Sequence, residues 1–184
     1  MLSRNVALVK QVRQMSCFGF KPGTRDALFP ALNAKLSEYA ASVGLAALDG
    51  WPYTRIALTN LARTYSVRLA SLPGIEPMPG LDGSFAGSTF SIMLDHGLPD
   101  ASEIAAHMAK SGVETRRWWA EGCHAQSAFA NCPTSDLSVT KDLARRVLGL
   151  PFHLGIGPRE INVVIGTLAD ALVTSATAHR GLTG

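Results

Sequence analysis

Two consecutive stretches in which apolar residues recur at helical spacing constrain the fold more than any other feature of the sequence. The apolar positions of the first stretch, residues 34–48, are Leu36, Tyr39, Ala40, Val43 and Ala47. "DGWP" then breaks the pattern, and a second helix is predicted from Pro52 to Leu72, because proline suits a first helical turn. Helices of this kind need another layer to cover their apolar faces.

Shorter segments on either side complete the pattern. A helix with a packed valine face is predicted near Val6, although the basic, acid-poor start also has the look of a transit peptide. Further helices are predicted within residues 100–112, 135–150 (ending near Gly149) and from Pro158, and strands near 85–95 and 113–119, with a short extended piece at 151–154. The sequence therefore predicts an α/β fold in which long helices pack on a small sheet.

The composition excludes several classes of protein. With 184 residues, 47% of them hydrophobic, the chain can bury a core in one or two compact units. The net charge of +3 comes from Lys and Arg residues that rarely cluster, so nucleic-acid binding is not expected. No apolar run approaches the roughly 20 residues that span a bilayer, and the start lacks the regions of a signal peptide. We therefore expect neither a nucleic-acid nor a membrane partner.

The cysteines bear on compartment and metal binding. Cys17, Cys123 and Cys132 are odd in number and show no CxxC spacing, which argues against a disulfide framework and against a zinc site. We expect no metal and a cytoplasmic location.

The start of the first long helix carries two polar residues, Asn33 and Lys35. Asn33 can be a helix N-cap that accepts a hydrogen bond from the amide of residue 35 or 36. A helix N-terminus with an amide side chain and a lysine beside it is also suited to an anion such as phosphate. The two roles are compatible.

The segment around residues 116–124 and one later histidine carry the other candidate groups. Cys123 beside His124 does not predict a nucleophile, because adjacent side chains in a strand point apart, and a metal bound by these residues is no better supported. Trp118 and Trp119 can form a wall against a ring-shaped ligand, or they can alternate so that one faces the core and the other the surface, and a core position is favoured for one of them. Arg116 and Arg117 alternate in the same way, and one of them near an open aromatic face can hold a carboxylate or diphosphate, although most such arginines are simply solvated. A core or rim position is favoured for His153.

Four segments occur in a distinctive order, which is "ALNAKLSEYAASVGLAALDGW", "TRIALTNLARTYSVRLASLPGI", "GVETRRWWAEGCHAQSAF" and "RRVLGLPFHLGIGPREINVVIGTL". In this order they resemble the C-terminal half of the DegT family of sugar aminotransferases. The loop and helix "LNAKLSEYAASVGLAALD" is similar to that family's N-x-[KR]-[ML]-[ST]-E signature followed by an Ala-rich helix. The likeness runs from about Arg4 to Leu172.

The resemblance implies a fold type I enzyme that uses pyridoxal 5'-phosphate (PLP) to move an amino group from glutamate or glutamine onto a keto sugar carried by a nucleotide. It implies a homodimer in which Asn33 contacts the cofactor phosphate of the neighbouring subunit. The stretch "TRRWWAEGCH" is similar to part of the family's sugar-nucleotide pocket, so that Arg116, Trp119 and His124 are the implied substrate-binding residues.

The same resemblance indicates what the chain does not match. The family's Schiff-base lysine and main phosphate-binding turn lie upstream of the matching part, and none of the five lysines here stands in a similar context, so no catalytic residue is assigned. Residues 1–30 are interpreted as a remnant of the large PLP-binding domain with its connecting loop, and residues 31–184 as the small domain with its linking helices. The chain is then either the C-terminal part of an aminotransferase that acts with a separate large-domain polypeptide, or a non-catalytic binding or structural remnant.

Overall fold

The computed structural model describes residues 3–81, 87–118 and 120–180, with the backbone alone for residues 175–180. The chain forms two compact units, Met1–Trp51 and Pro52–Gly184. Within the described part of the chain there are six α-helices and three β-strands. None of these helices is both long enough and apolar enough to cross a lipid bilayer.

The first unit contains two helices. α1 spans Val6–Met15 and follows Asn5, whose side-chain oxygen accepts a hydrogen bond from the amide of Leu8 at 3.1 Å. α2 spans Glu38–Asp49 and follows Ser37, whose hydroxyl accepts a hydrogen bond from the amide three residues further on at 3.1 Å. A side-chain oxygen of this kind satisfies one of the amides that a helix leaves unpaired at its start.

The segment between α1 and α2 is irregular, but its backbone is paired. Antiparallel bridges join Cys17 to Asn33 and Phe20 to Ala27. The side-chain amide of Gln14 also donates to the Phe20 carbonyl at 3.0 Å. The connection between α1 and α2 is therefore an ordered loop that returns to the end of α1.

A three-stranded antiparallel sheet forms the centre of the second unit. β1 spans Ile75–Pro77, β2 spans Phe90–Leu94 and β3 spans Val147–Leu150, in the spatial order β1-β2-β3. Ile75 pairs with Leu94, and Phe90 pairs with Leu150. In β2 every second side chain is buried, which is the pattern of a strand with one face on a core.

Four helices accompany this sheet: α3 (Trp51–Leu69), α4 (Ala101–Lys110), α5 (Ser138–Arg146) and α6 (Pro158–Arg180). α4 packs on α6, and α3 contributes its buried face to the same core. The largest fully buried side chains of this core are Tyr65, Leu69, Phe90, Ile92, Leu94, Ile104, Met108, Leu148 and Leu168. The prediction of long helices packed on a small sheet is confirmed.

Several predicted boundaries are wrong. The first long helix begins at Glu38 rather than at residue 34, because Ser37 is its cap. The helix predicted to end near Gly149 ends at Arg146, and the chain continues as β3, where pairing with β2 buries Leu148 and Leu150. Pairing with another strand therefore outweighs the local helical pattern of these residues.

The predicted strands also need correction. In the described part of this segment, residues 113–118, only Arg116 pairs, through one bridge to Gly149. The strand predicted near 85–95 is the shorter Phe90–Leu94, and residues 82–86 lie outside the described part. The piece predicted as extended at 151–154 has no regular structure, and β1 was not predicted at all.

Ion pairs connect α5 with the rest of the second unit. Arg146 binds Asp142 at 2.6 Å and donates to the Leu94 carbonyl at 3.1 Å, so α5 is tied to the end of β2. The hydrogen bond from Arg146 holds the pKa of the Asp142 carboxyl below its ordinary value. Asp100 directly precedes α4, but its carboxylate binds Arg145 at 3.1 Å and makes no cap hydrogen bond.

Tyr65 links α3 to the chain that leaves β3. Its hydroxyl donates to the Pro151 carbonyl at 2.7 Å, and its ring stacks on Phe90 at 5.1 Å between centroids. Burial raises the pKa of Tyr65 to about 12. The hydroxyl therefore stays protonated and keeps its donor role.

We expect Tyr65→Phe to lower the free energy of unfolding by about 1 kcal/mol, because the Pro151 carbonyl loses its donor while the aromatic packing is kept. Urea denaturation followed by circular dichroism measures the difference. Tyr53→Phe is the matched control, because Tyr53 is 81% exposed and has little to lose. Equal effects of the two substitutions would contradict the assignment of the stabilisation to the Tyr65 hydrogen bond.

Candidate functional site

A cavity of about 600 Å³ lies in the second unit, against the sheet and the first part of α6, and is called here the first cavity. Its apolar lining includes Phe90, Val113, Leu150, Phe152, Ile156 and Val164. Several of these side chains belong to the buried core, so the floor of the cavity is held by the same packing that holds the sheet. Apolar cavities of this size with a few polar groups at the rim are typical of small-molecule sites.

Charged and polar side chains stand at the rim of the first cavity. They include Glu114, Arg116, His153 and Glu160. Glu160 accepts a hydrogen bond from the Gly157 amide at 3.0 Å, which occupies one of its carboxylate oxygens at the start of α6. Within the described residues, no carboxylate lies within ion-pair distance of the Arg116 guanidinium. Arg116 is thus the group at this rim that is suited to an anionic ligand.

The backbone of Arg116 is fixed to the edge of the sheet at Gly149. The Arg116 amide donates to the Gly149 carbonyl at 2.8 Å, and the Gly149 amide donates to the Arg116 carbonyl at 2.7 Å. The indole of Trp118 lies over Gly149, where an added Cβ would stand 2.8 Å from the indole Nε1. A glycine is needed at this place because any larger residue would displace Trp118 or the bridge.

A second cavity of about 410 Å³ is also bordered by Trp118. Its lining includes Met78, Arg117, Cys123, Thr140, Leu143 and Val147. Arg117 binds Glu121 at 2.7 Å and donates to the Ala144 carbonyl at 3.3 Å, while its buried Nε has no hydrogen-bond partner. Trp118 lines both cavities, and no other described residue does so.

His124 lies in a single 3₁₀ turn, Cys123–Ala125, and lines neither cavity. Its Nδ1 is buried and makes no hydrogen bond. Cys123 is exposed, and no hydrogen bond between its thiol and His124 occurs among the described groups. The geometry therefore gives no nucleophile and base pair here. No cluster of three His, Cys, Asp or Glu residues suited to a metal ion occurs in the described ranges.

Asn33 is not the N-cap of α2, and this expectation is wrong. The residue is exposed and pairs through its backbone with Cys17, four positions before the true cap, Ser37. The predicted anion site at a helix N-terminus beside Asn33 is therefore wrong in its geometry. Lys35 instead extends over the ring of Phe18, at 6.0 Å from the centroid. The predicted role of Asn33 toward a partner's cofactor is a separate matter and stays a prediction.

The three implied substrate-binding residues differ in their positions relative to the cavities. Arg116 reaches the first cavity, His124 lies in the neighbouring turn without reaching either cavity, and Trp119 lies outside the described residues. Neither Gly149 nor Phe152 was predicted from the sequence as part of a site. A glycine inside an apolar run is the signal that could have indicated a close approach at residue 149.

The lysines decide whether these residues fit a PLP site. All five, at positions 10, 21, 35, 110 and 141, lie in the described part of the chain, and each is exposed. None of them lines the first or the second cavity. A cofactor held through a lysine needs that amine in a shielded pocket, so the residues present here do not fit PLP on their own.

Comparison with known proteins gives the family. Residues 1–169 match the model of the DegT/DnrJ/EryC1/StrS aminotransferase family. The GDP-perosamine synthase of Caulobacter vibrioides is 25% identical over 171 residues, which are 90% of this chain and 46% of that protein.

Solved structures agree with this match. The fold is similar to that of the aminotransferase TlmJ from Streptoalloteichus hindustanus, with a TM-score of 0.79, 21% identity, and coverage of 94% of this chain and 47% of that one. DesI, solved in the presence of its TDP-sugar product, gives a TM-score of 0.79 at 27% identity, covering 98% of this chain and 47% of its own. The chain spans about half the length of the proteins it matches.

The cap of α2 can be tested directly. We expect Ser37→Ala to destabilise the start of α2 by about 1 kcal/mol, because it removes the acceptor of a helix amide. Amide hydrogen exchange of α2 measures this as a loss of protection. Asn33→Ala is the matched control and should leave the protection of α2 nearly unchanged. A larger loss for Asn33→Ala than for Ser37→Ala would return Asn33 to the capping role.

Proposed function

Because the chain belongs to the DegT/DnrJ/EryC1/StrS aminotransferase family, we propose that it is the C-terminal portion of a PLP-dependent nucleotide-sugar aminotransferase. The reaction moves an amino group from glutamate or glutamine to a keto sugar carried by a nucleotide. A large-domain polypeptide provides the Schiff-base lysine, and the chain is inactive without it. When bound, PLP acts as the electron sink of the reaction.

The similarity to DesI carries this proposal. It extends over nearly the whole chain, and DesI was solved in the presence of a TDP-sugar product. The GDP-perosamine synthase is a second relative whose name refers to a nucleotide-linked sugar. Both similarities support a nucleotide sugar as the substrate class, with the sugar and the base left open.

The rim of the first cavity supports a place for this substrate. Arg116 is exposed and has no ion-pair partner among the described residues, so its guanidinium is free to bind a diphosphate. His124 and Trp119 complete the proposed substrate-binding set through the family resemblance.

The exposed lysines support the need for a large-domain polypeptide, since none of them stands in a cavity. In the proposed homodimer, Asn33 donates a hydrogen bond from its exposed amide to the cofactor phosphate held by the neighbouring subunit. The paired backbone of the loop supports this role, because the bridge to Cys17 fixes the position from which the side chain extends.

The surface of α2 supports a covering polypeptide. This helix buries none of its residues, and Tyr39, Val43, Leu45 and Leu48 are all exposed. A helix that is apolar over most of its surface is normally covered. We propose that the large-domain polypeptide covers it. In terms of family domains, residues 1–30 remain the proposed remnant of the large domain and residues 31–184 the small domain.

The proposed compartment is the cytoplasm, because the three cysteines are free, which suits a reducing environment. The alternative function is a non-catalytic binding or structural remnant of the family, favoured by the absence of a lysine from both cavities. The experiments below separate the two.

The purified chain, incubated with PLP and reduced with borohydride, should carry no stoichiometric label on a single lysine, because exposed amines react weakly and without selection. Peptide mapping by mass spectrometry gives the readout. As a positive control, the same treatment after addition of a large-domain polypeptide of the family should label one lysine of that polypeptide. A single lysine of this chain labelled completely would overturn the proposed division of roles.

Asn33→Asp should weaken PLP binding in the complemented enzyme more than Asn33→Ala does. A carboxylate beside the phosphate adds like-charge repulsion, whereas alanine only removes a hydrogen bond. Titration of the complex with PLP gives the affinities, and amino transfer gives the activity. Asn5→Asp is the control, since Asn5 is also exposed and Asp caps α1 as well as Asn does. Equal binding by the wild type and Asn33→Asp would remove Asn33 from the site, and no transfer by any complemented chain would favour the non-catalytic remnant.

A further inference from the structure

Trp118 lines both cavities of the second unit and is the residue that they share among those described. We propose that Trp118 determines ligand specificity: its indole stacks on the base of a nucleoside diphosphate in the first cavity and closes that cavity against the second. The diphosphate is then held at Arg116. This inference rests on the proposed function for its ligand class.

The lining of the first cavity explains why one ligand can meet both residues. Arg116 and Trp118 both line the first cavity, whereas Arg117 between them lines the second. The bridge to Gly149 fixes the backbone of Arg116, and the chain then turns, with the Ala120 amide donating to the Arg117 carbonyl at 3.2 Å. The indole and the Arg116 guanidinium thus border the same cavity.

The two arginines differ in their availability. Arg117 is already bound to Glu121 and to the Ala144 carbonyl, so its charge is compensated. Arg116 has no such partner among the described residues. An anionic group therefore gains more at the Arg116 side, and the indole prevents the ligand from extending toward Cys123 in the second cavity.

The lining of the first cavity favours a planar apolar ring over a strongly hydrated group. The half-buried Phe152 adds aromatic surface beside the indole, and Val113, Ile156 and Val163 add aliphatic surface. Trp118 is 47% exposed, so a large part of its surface is open to a ligand. Stacking of a base on an aromatic side chain contributes roughly 1–3 kcal/mol, which corresponds to about a 5- to 150-fold change in affinity.

The first experiment compares thymidine diphosphate with inorganic pyrophosphate as probes of the 184-residue chain by isothermal titration calorimetry. Trp118→Ala should weaken thymidine diphosphate binding by about 10-fold or more and leave pyrophosphate binding within about 2-fold. Trp118→Phe, which keeps a smaller ring, should lose less. Gly149→Ala should resemble Trp118→Ala, because the added Cβ displaces the indole, whereas Gly166→Ala adds its Cβ in open space and is the control.

The second experiment uses Cys123 as a reporter of the second cavity, in a chain with Cys17→Ser and Cys132→Ser. Saturating thymidine diphosphate should leave the rate of maleimide labelling of Cys123 unchanged when Trp118 is present. When the chain also carries Trp118→Ala, saturating thymidine diphosphate should slow the labelling of Cys123 by about 3-fold or more, because the ligand then extends past the missing indole. Equal protection with and without Trp118 would overturn the partition.

Other outcomes separate this inference from the proposed function. No binding of thymidine diphosphate to the wild type, or equal losses for both probes in Trp118→Ala, overturns the inference even if the complemented enzyme transfers amino groups. A selective loss for the nucleotide without any amino transfer supports the inference and counts against the proposed enzyme. Circular dichroism confirms that each variant is folded, and the graded response of Trp118→Phe provides the test if Trp118→Ala does not fold.

Discussion

The pairing of β3 with β2 is the interaction on which the second unit depends. It places Leu148 and Leu150 in the core beside Phe90, and it ends α5 at Arg146, where the guanidinium reaches Asp142 and the Leu94 carbonyl. The outer edge of β3 offers Gly149 to the Arg116 segment. Without this strand, neither the floor of the first cavity nor the support of Trp118 would exist, so the fold and the proposed site share one origin.

The helices could be predicted from the sequence because their signals are local. Asn5, Pro158 and the Gly112 that follows α4 mark helix ends through side-chain capping, a fixed φ angle or a positive φ angle. The strands were harder because their evidence lies elsewhere in the chain. "VLGL" continues a helical pattern until β2 is available as a partner, and the three residues of β1 are too few to show alternation.

The candidate site shows the same division. Alternation along "TRRWW" predicts that one arginine meets a ligand; Arg116 lies at the first cavity, and its contact with a ligand stays a prediction. The cavity itself could not be predicted, because it is formed by side chains from β2, β3, α6 and the Arg116 segment that are far apart in sequence. Asn33 was misplaced for a simpler reason. Asn and Ser cap helices about equally well, and only the backbone pairing with Cys17 decides between Asn33 and Ser37.

The opposite orientation of Arg116 and Arg117 has a consequence for how this surface can change in evolution. A single residue inserted or deleted between Gly112 and Arg116 would rotate the extended segment by one position relative to Gly149. Arg117, whose guanidinium now binds Glu121, would then face the first cavity, and Arg116 would turn away from it. Point substitutions can therefore adjust the ring and the charge separately, whereas a change in loop length here exchanges both at once. We expect homologues to vary in residue type along this segment more readily than in its length.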